Sequence, residues 1–330
     1  MLLPAARGEI TELLFEELKT NPHPLGDVPI VSQDPLTGED LQLALFCCYE
    51  LHYQGFDDVN DAWEWEPSLI AIRRRMESAF ESSLTAEVPR RVVPPGGMAE
   101  RLQRMIDEDP APSLSRFVAN RATADQFVEF VQHRSIYHLK EADPHSWAIP
   151  RITGAPKAAL VEIQSDEYGS GSGARMHSVL FANVMDALGL DSSYGAYLDD
   201  VPAITLATVN LMSMFGLNRR LRGAAVGHLA VFEMTSSLPN RRYAAGLRRL
   251  GLAAAAPFYD EHVEADSVHE AIASHDLAGG LATAEPDLAA DIVFGAEALL
   301  FLDGLWAAHL LDAWQAGATS LRAPASVATA

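Results

Sequence analysis

The stretch that decides the fold is 258-FYDEHVEADSVHEAIASHD-276. Within it, three residues separate His262 from Asp266, and two separate Asp266 from His269. At about 100° per residue, these three positions fall within an arc of about 60° around a helix. Two imidazoles and a carboxylate on one helical stripe are typical donors for Fe(II), Mn(II) or Zn(II). The alternative interpretation is an acid-rich outer face that carries histidines by coincidence.

Upstream, the segment 158-AALVEIQSDEYGSGSGARMHSVLFANVMDAL-188 contains a second set of donors. Glu167 precedes a glycine-rich break, and His177 follows it at the start of the next predicted helix. The glycines give the backbone freedom to turn, so the two side chains can converge on one cation. Tyr168 adjoins Glu167 and is a candidate supporting or oxidisable residue. Alternatively, the break is a plain linker and His177 simply begins a helix.

A third segment, 138-HLKEADPH-145, ends a predicted helix at Pro144. Glu141 lies in its last turn, where the helix dipole disfavours a carboxylate unless a cation compensates it. His138, one turn earlier, is a candidate to support Glu141. Glu141 is otherwise an exposed acid beside Lys140.

Three further polar residues are weighed as substrate or supporting residues. His228 and Glu233 lie in an apolar predicted helix, where a buried core pair or a pocket wall is expected rather than direct metal binding. Arg220 belongs to a basic patch in an acidic chain. It is expected either to recognise a substrate carboxylate or to pair with a surface acid.

The composition limits the functional classes. The 330 residues include 45 acidic and 24 basic side chains, a formal charge of −21. Such a charge argues against nucleic-acid binding and against an anionic membrane surface. No apolar run approaches the roughly 18 residues of a membrane span, and no secretory signal is evident, so a cytoplasmic protein is expected.

Apolar residues recur at helical spacing along most of the chain, and short alternating strands are not evident. We therefore predict an all-α bundle. The predicted organisation is an N-terminal helical region packing on the bundle (1–97), a main domain (98–316) and a disordered tail (317–330).

The candidate donors number three carboxylates and three histidines, which is more than one metal ion requires. They therefore indicate a pair of metals. The paired Glu-x-x-His motifs of ferritin-like di-iron proteins are absent, so that fold is disfavoured. The six predicted donors are Glu141, Glu167, His177, His262, Asp266 and His269.

These segments resemble the haem-oxygenase-like di-iron oxidases, also described as iron-containing redox enzymes. The resemblance rests on the His262, Asp266 and His269 stripe, on Glu167 ten residues before His177, and on Glu141 twenty-six residues before Glu167. It extends over about residues 110–315, and the spacings are similar to those of the N-oxygenating branch.

The resemblance implies a seven-helix haem-oxygenase-like bundle that lacks haem, with additional N-terminal helices, and a labile pair of irons that activates O2. Glu141, Glu167 and His177 would supply one half of the metal site, and the stripe on the later helix the other. The implied function is N-oxygenation of a small amine or amino-acid metabolite in a biosynthetic pathway. An external electron donor would return the irons to the ferrous state, and a homodimer is left open.

Two alternatives remain at this point. Within the same family, the site would instead cleave a C–C bond or decarboxylate an amino or fatty acid. In another class, the chain would be a helical metal-binding protein without oxidase activity. A haem enzyme of the same bundle is disfavoured, because carboxylates would crowd the slot that haem needs.

Overall fold

The chain is built from helices. The computed structural model describes residues 1–30 and 34–322, except for the side chains of residues 264–268. Within these residues there is no β-strand, and the predicted all-α architecture is confirmed. The helices are α1 (Glu9–Leu18), α2 (Glu39–Glu50), α3 (Pro67–Glu87), α4 (Met98–Asp107), α5 (Leu114–Asn120), α6 (Ala124–His138), α7 (Asp143–Ser146), α8 (Gly154–Glu167), α9 (His177–Ala187), α10 (Ala203–Leu217), α11 (Arg222–Met234), α12 (Ser237–Arg249), α13 (Pro257–Ala271), α14 (Gly280–Ala284) and α15 (Ala289–Gln315), with a π-helical segment at Ile272–Gly279.

Local sequence signals set where the helices begin. Helix α3 starts at Pro67, which tolerates the first helical position because its missing N–H needs no partner there. Helix α6 begins after Thr123, whose side chain and that of Gln126 form a reciprocal capping box. This cap orients the helix that leads to Glu141.

Close packing of α11 on α15 forms the centre of the bundle. A Cβ atom at Gly227 would lie 1.8 Å from the Ile292 carbonyl oxygen, and one at Gly295 would lie 2.0 Å from the Ala224 carbonyl oxygen. Both positions therefore require glycine for the two backbones to approach. Helix α15 is about 40 Å long and extends the core along the bundle.

The N-terminal region contributes a buried helix to the core. Every residue of α2 from Leu41 to Glu50 is buried. The Asn210 amide on α10 donates to the Gln42 carbonyl oxygen at 2.8 Å. Lys140, next to Glu141, forms a buried ion pair of 2.9 Å with Glu50 at the end of α2. Helix α2 is thus joined directly to the segment that carries a predicted donor.

After α15 the chain continues along the bundle to Arg322. Ser320 is 1% exposed, and its backbone N–H and hydroxyl donate to Glu129 at 2.8 and 2.7 Å. This part of the segment expected to be disordered is therefore ordered, and residues 323–330 lie outside the described residues.

None of the helices within the described ranges combines the length and the apolar character needed to cross a lipid bilayer.

Candidate metal centre

Four of the predicted donors meet in the core. One donor atom from each side chain lies within 4.8 Å of those of the others, and all four side chains are buried. They come from separate parts of the chain. This first group consists of Glu141, Glu167, His177 and His262. The resemblance implied that His262 joins Asp266 and His269 in the other half of the site, whereas the structure groups it with the first three residues.

The glycine-rich break brings two of these donors together. Glu167 is the last residue of α8, and His177 is the first residue of α9. Gly169 has φ +72°, and a Cβ atom there would lie 2.7 Å from the backbone of Arg175 and Met176. The tight return of the chain therefore depends on glycine at this position.

Glu141 lies in the turn that follows α6. The helix ends at His138, three residues before Glu141 rather than at Pro144, and Ala142 adopts a left-handed conformation with φ 75°. The imidazole Nδ1 of His138 is 2.9 Å from Glu141 Oε1. Burial opposes ionisation of Glu141, but His138 and then His262 lower its pKa well below the ordinary value. The carboxylate is therefore held in its anionic form, the form that binds metals.

A backbone contact orients His262. Its Nδ1 lies 2.8 Å from the Phe258 carbonyl oxygen one turn earlier, so Nδ1 carries the proton and donates. Nε2 then faces the other donors and lies 3.8 Å from Glu141 Oε1. The ring centroids of His262 and His177 are 4.3 Å apart.

A second group of donors shares Glu167 with the first. Its other members are Glu233 from α11 and His269 from α13. His269 Nδ1 lies 3.5 Å from Glu233 Oε2 and 4.0 Å from Glu167 Oε1. The two groups are therefore adjacent, with one carboxylate between them.

His269 is held from its other ring nitrogen by Asp166. The Nε2 atom lies 3.0 Å from Asp166 Oδ2, a carboxylate half exposed at the surface. Burial opposes protonation, but Glu233, Asp166 and Glu167 raise the pKa of His269 to about 9. Burial and the nearby Glu167 raise the pKa of Glu233. Like-charged carboxylates in a buried space call for a cation.

The arrangement of the donor atoms fits a shared metal ion better than a hydrogen bond between them. His177 Nδ1 and Glu167 Oε2 are 2.6 Å apart but are not aligned as a hydrogen bond, and neither atom has another hydrogen-bond partner in the described residues. Glu141 Oε2 is buried without a hydrogen bond as well. Buried polar atoms are normally paired, and imidazole nitrogens with carboxylate oxygens suit iron, so the residues present fit a pair of metal ions.

The remaining residues singled out in the sequence are not among the described donors of either group. The Asp266 side chain lies outside the described residues. Tyr168 donates to Asp143 at 2.7 Å. The Nδ1 atom of His228 pairs with Nε2 of His145 at 3.0 Å. The structure does not bring Arg220 to the donors, because Arg220 forms two hydrogen bonds with Glu81 at the surface, of 2.8 and 2.5 Å.

Sequence reasoning underrated two acids. Glu233 was expected as a pocket residue or core partner, yet its carboxylate belongs to the second donor group. The available signal was a single acid in an apolar helix, since a buried carboxylate requires a partner. Asp166 directly precedes Glu167, and its contact with His269 could not be predicted from spacing.

Two cavities adjoin the donors. A small space of about 10 Å³, at the lower limit of what one water molecule needs, lies among Glu141, Glu167 and Glu233. A larger cavity of about 500 Å³ reaches Glu141 and His262 from the other side and includes His138 in its wall. The second volume is in the range of small-molecule sites.

Comparison with known proteins agrees with this geometry. Residues 128–304, more than half of the chain, match the sequence model of the iron-containing redox enzymes, and all the donors described above lie inside the match. A search of curated proteins found no significant match. The chain therefore belongs to the family of iron-containing redox enzymes, and its all-α architecture is of the haem-oxygenase-like kind.

Proposed function

We propose that the chain is a non-haem di-iron, O2-dependent oxygenase that acts on a small amine or amino-acid metabolite. The observation that carries this proposal is the pair of adjacent donor groups with Glu167 in common. A single structural metal needs only one such group, whereas two ions side by side are the arrangement that two-metal oxidation chemistry uses.

Each ion would have its own donors. Glu141, His177 and His262 would hold one, and Glu233 and His269 would hold the other. Glu167 belongs to both groups and would help to hold both ions. Asp266 completes the second set in our proposal, because its position on the helical stripe lies between His262 and His269. When bound, the iron pair supplies the electrons that activate O2 and the oxidising power applied to the substrate.

The residues around the donors would keep them in place and exclude water. His138 hydrogen-bonds Glu141, and Asp166 contacts the outer nitrogen of His269. Such contacts orient ligands and tune their basicity. The described donors are buried side chains, which would limit their contact with bulk water when no ligand fills the larger cavity.

N-oxygenation is the reaction we propose. It rests on the spacing of Glu141, Glu167 and His177, which is similar to that of the N-oxygenating branch. An external electron donor would supply reducing equivalents, because the chain offers two buried free cysteines and no disulfide within the described residues.

The test is anaerobic loading with Fe(II), measurement of bound iron, and exposure to O2 with a panel of amines and amino acids. We expect two irons per chain and O2 uptake linked to hydroxylamine, nitroso or nitro products, detected by mass spectrometry. A shortened carbon skeleton in the product would instead identify oxidative C–C cleavage or decarboxylation.

A matched variant separates oxidase activity from structural metal binding. His177→Ala should lose iron and O2 uptake, whereas His275→Ala, an exposed histidine on the π-helical segment, should retain both. Stable binding of one ion with no O2 uptake in the unaltered protein would contradict the proposal and favour a structural metal.

A further inference from the structure

The cavity of about 500 Å³ has a charged outer part and an inner end at the donors. Its inner wall includes His138, Glu141 and His262. Farther along α6 the wall carries Arg134, and Asp303 contributes from α15. A cation and an anion thus line the same space that reaches the proposed metals.

Arg134 is held in place without a carboxylate partner. Its guanidinium lies 4.1 Å from the ring centroid of Trp306, a distance typical of a cation–π contact. Within the described residues it forms no salt bridge with Asp303, although both side chains line the cavity. Arg134 also interacts with the Tyr243 hydroxyl, and the remaining donors of its fork are available for a ligand carboxylate.

Asp303 is the complementary group. It lies one turn before Trp306 on α15, so it shares the face that Arg134 covers. Its carboxylate has no hydrogen bond or ion pair within the described part of the chain. Burial raises its pKa above the ordinary value, the nearby Arg134 opposes this shift, and Asp109 adds to it. A carboxylate in this setting is suited to a ligand ammonium group.

The charged pair and the donors line the same cavity. Arg134 lies one turn before His138 on α6, and the His138 imidazole contacts Glu141 at 2.9 Å. A ligand whose head groups bind Arg134 and Asp303 would therefore extend past His138 toward the candidate donors.

Between Arg134 and the candidate donors, the cavity wall is suited to a ligand with an apolar middle part that makes one polar contact. Phe130, Phe232 and Leu300 line it. Tyr259 lies there as well, is 1% exposed, and has a hydroxyl with no hydrogen-bond partner in the described residues. A buried unpaired hydroxyl that lines a cavity is a donor or acceptor available to the ligand.

We propose that this cavity binds an extended zwitterion, with its carboxylate on Arg134 and its ammonium group on Asp303, so that the opposite end of the molecule is presented to the metals. The inference rests on the proposed function for the identity of the inner end. It adds that the part of the molecule oxidised is its distal end and not the head groups held by Arg134 and Asp303.

The test measures binding to the metal-free full chain by calorimetry, with three probes that share a distal amine. L-lysine has both head groups, 6-aminohexanoate lacks the α-amine, and cadaverine lacks the carboxylate. Because the distal amine is common to all three, its attraction to the acidic donors cancels. We expect L-lysine to bind about 10- to 100-fold more tightly than either analogue.

Variants assign each head group to its residue. Asp303→Asn should weaken L-lysine binding about tenfold or more and leave 6-aminohexanoate unchanged, and Arg134→Gln should weaken L-lysine and leave cadaverine unchanged. Arg134→Lys keeps the cation and should restore part of the loss. Asp312→Asn and Arg121→Gln, exposed residues away from the cavity, are the matched controls.

Equal affinity for the three probes, no binding, or variants that weaken every probe alike would overturn the proposal. These outcomes do not depend on iron or O2. A chain that binds L-lysine selectively but takes up no iron would retain the cavity assignment and lose the proposed function. A chain that is an active oxygenase but fails the binding test would retain the proposed function and lose the cavity assignment.

Discussion

Glu233 is the residue that most changes the interpretation of the site. Its carboxylate lies 5% exposed in α11 and points toward His269 at 3.5 Å. An unpaired carboxylate at this depth would be costly, so a cation or a charged imidazole must accompany it. Its position makes α11 a contributor to the metal site as well as a core helix.

Glu233→Gln should selectively remove the second metal. The amide keeps the shape of the side chain but removes the charge, so we expect affinity for the second ion to fall at least about tenfold while one ion remains bound. Metal analysis after Fe(II) titration measures this, and Glu162→Gln, exposed on α8, is the control. Two tightly bound ions in Glu233→Gln would remove Glu233 from the ligand set.

Buried histidines should make the protein sensitive to acid. Burial lowers the pKa of His133 to about 3 and that of His145 to about 4, and it lowers that of His228 well below the ordinary value. In the unfolded chain these groups bind protons near pH 6.5. Stability present above that pH is therefore lost as the pH falls toward 4, by about 1.4 kcal/mol per pH unit for each histidine.

Urea unfolding between pH 4.5 and 6.5 tests this. His133→Gln should reduce the pH slope of the unfolding free energy by about 1.4 kcal/mol per unit, because one proton-binding difference is removed. His275→Gln, an exposed change, should keep the wild-type slope. An unaltered slope in His133→Gln would show that His133 protonates equally in both states.

At the scale of elements, the contact between α8 and α13 positions His269. Asp166 lies at the end of α8, next to Glu167, and contacts the outer nitrogen of His269 at 3.0 Å. One helix end therefore supplies both a donor and the support for a second donor. Carboxylates placed in this way fix the orientation of a ligating imidazole.

Asp166→Asn should weaken metal affinity about 10- to 100-fold without altering the helical content. The amide can still contact His269, but it lacks the negative charge that stabilises partial positive charge on an imidazole bound to a metal. Competition with a chelator measures the affinity, and circular dichroism monitors the helices. Asp186→Asn, on the exposed side of α9, is the control. Unchanged metal affinity in Asp166→Asn would show that the contact between Asp166 and His269 does not contribute to metal binding.

The turn between α8 and α9 should tolerate alanine at one glycine and not at another. Gly169→Ala forces a Cβ atom into the backbone of Arg175 and Met176 at a positive φ, so we expect a loss of about 1–3 kcal/mol together with weaker metal binding through His177. At Gly173, an added Cβ atom meets nothing within 4 Å, and Gly173→Ala should be nearly neutral. Thermal unfolding and iron titration compare the two variants. Equal effects would show that the close approach does not govern the turn.

Spacing predicted the all-α architecture and pointed to candidate residues that the structure brings together, because helical geometry is local. The stripe on α13 and the pair flanking the glycine-rich turn could be recognised from sequence alone. The partner of Asp166 and the place of Glu233 could not, because they depend on how α8 and α11 lie against α13. Of the two partners expected for Arg220, the structure shows the surface acid, and the sequence could not say that this acid is Glu81, which is far away in the chain.

For the whole molecule, a buried ion pair joins the N-terminal region to the site. Glu50 is 0% exposed and Lys140 is 2% exposed. The Tyr194 hydroxyl also donates to Glu50 at 2.6 Å, and Lys140 lies 4.3 Å from the ring centroid of Tyr53. Because Lys140 precedes Glu141, α2 restrains the backbone that presents this donor.

Glu50→Gln should destabilise the protein by about 3–5 kcal/mol, because it leaves the Lys140 ammonium buried without a counter-charge. The double variant Glu50→Leu with Lys140→Met removes both charges and should recover much of that loss. Urea unfolding gives both values, and Glu87→Gln at the exposed end of α3 is the control. A neutral Glu50→Gln would mean that water or another acid compensates Lys140.

The lining of the larger cavity lies partly outside the family match, and this bears on how substrate selectivity changes within the family. Part of its outer lining, from Gln103 to Ser115, together with Trp306, lies outside the stretch shared with the family, whereas the donors lie inside that stretch. Replacements in this rim should therefore change which molecule enters while the two donor groups stay intact. Replacing these rim residues with those of a relative would change substrate selectivity, and the segments that form the rim can be exchanged one at a time.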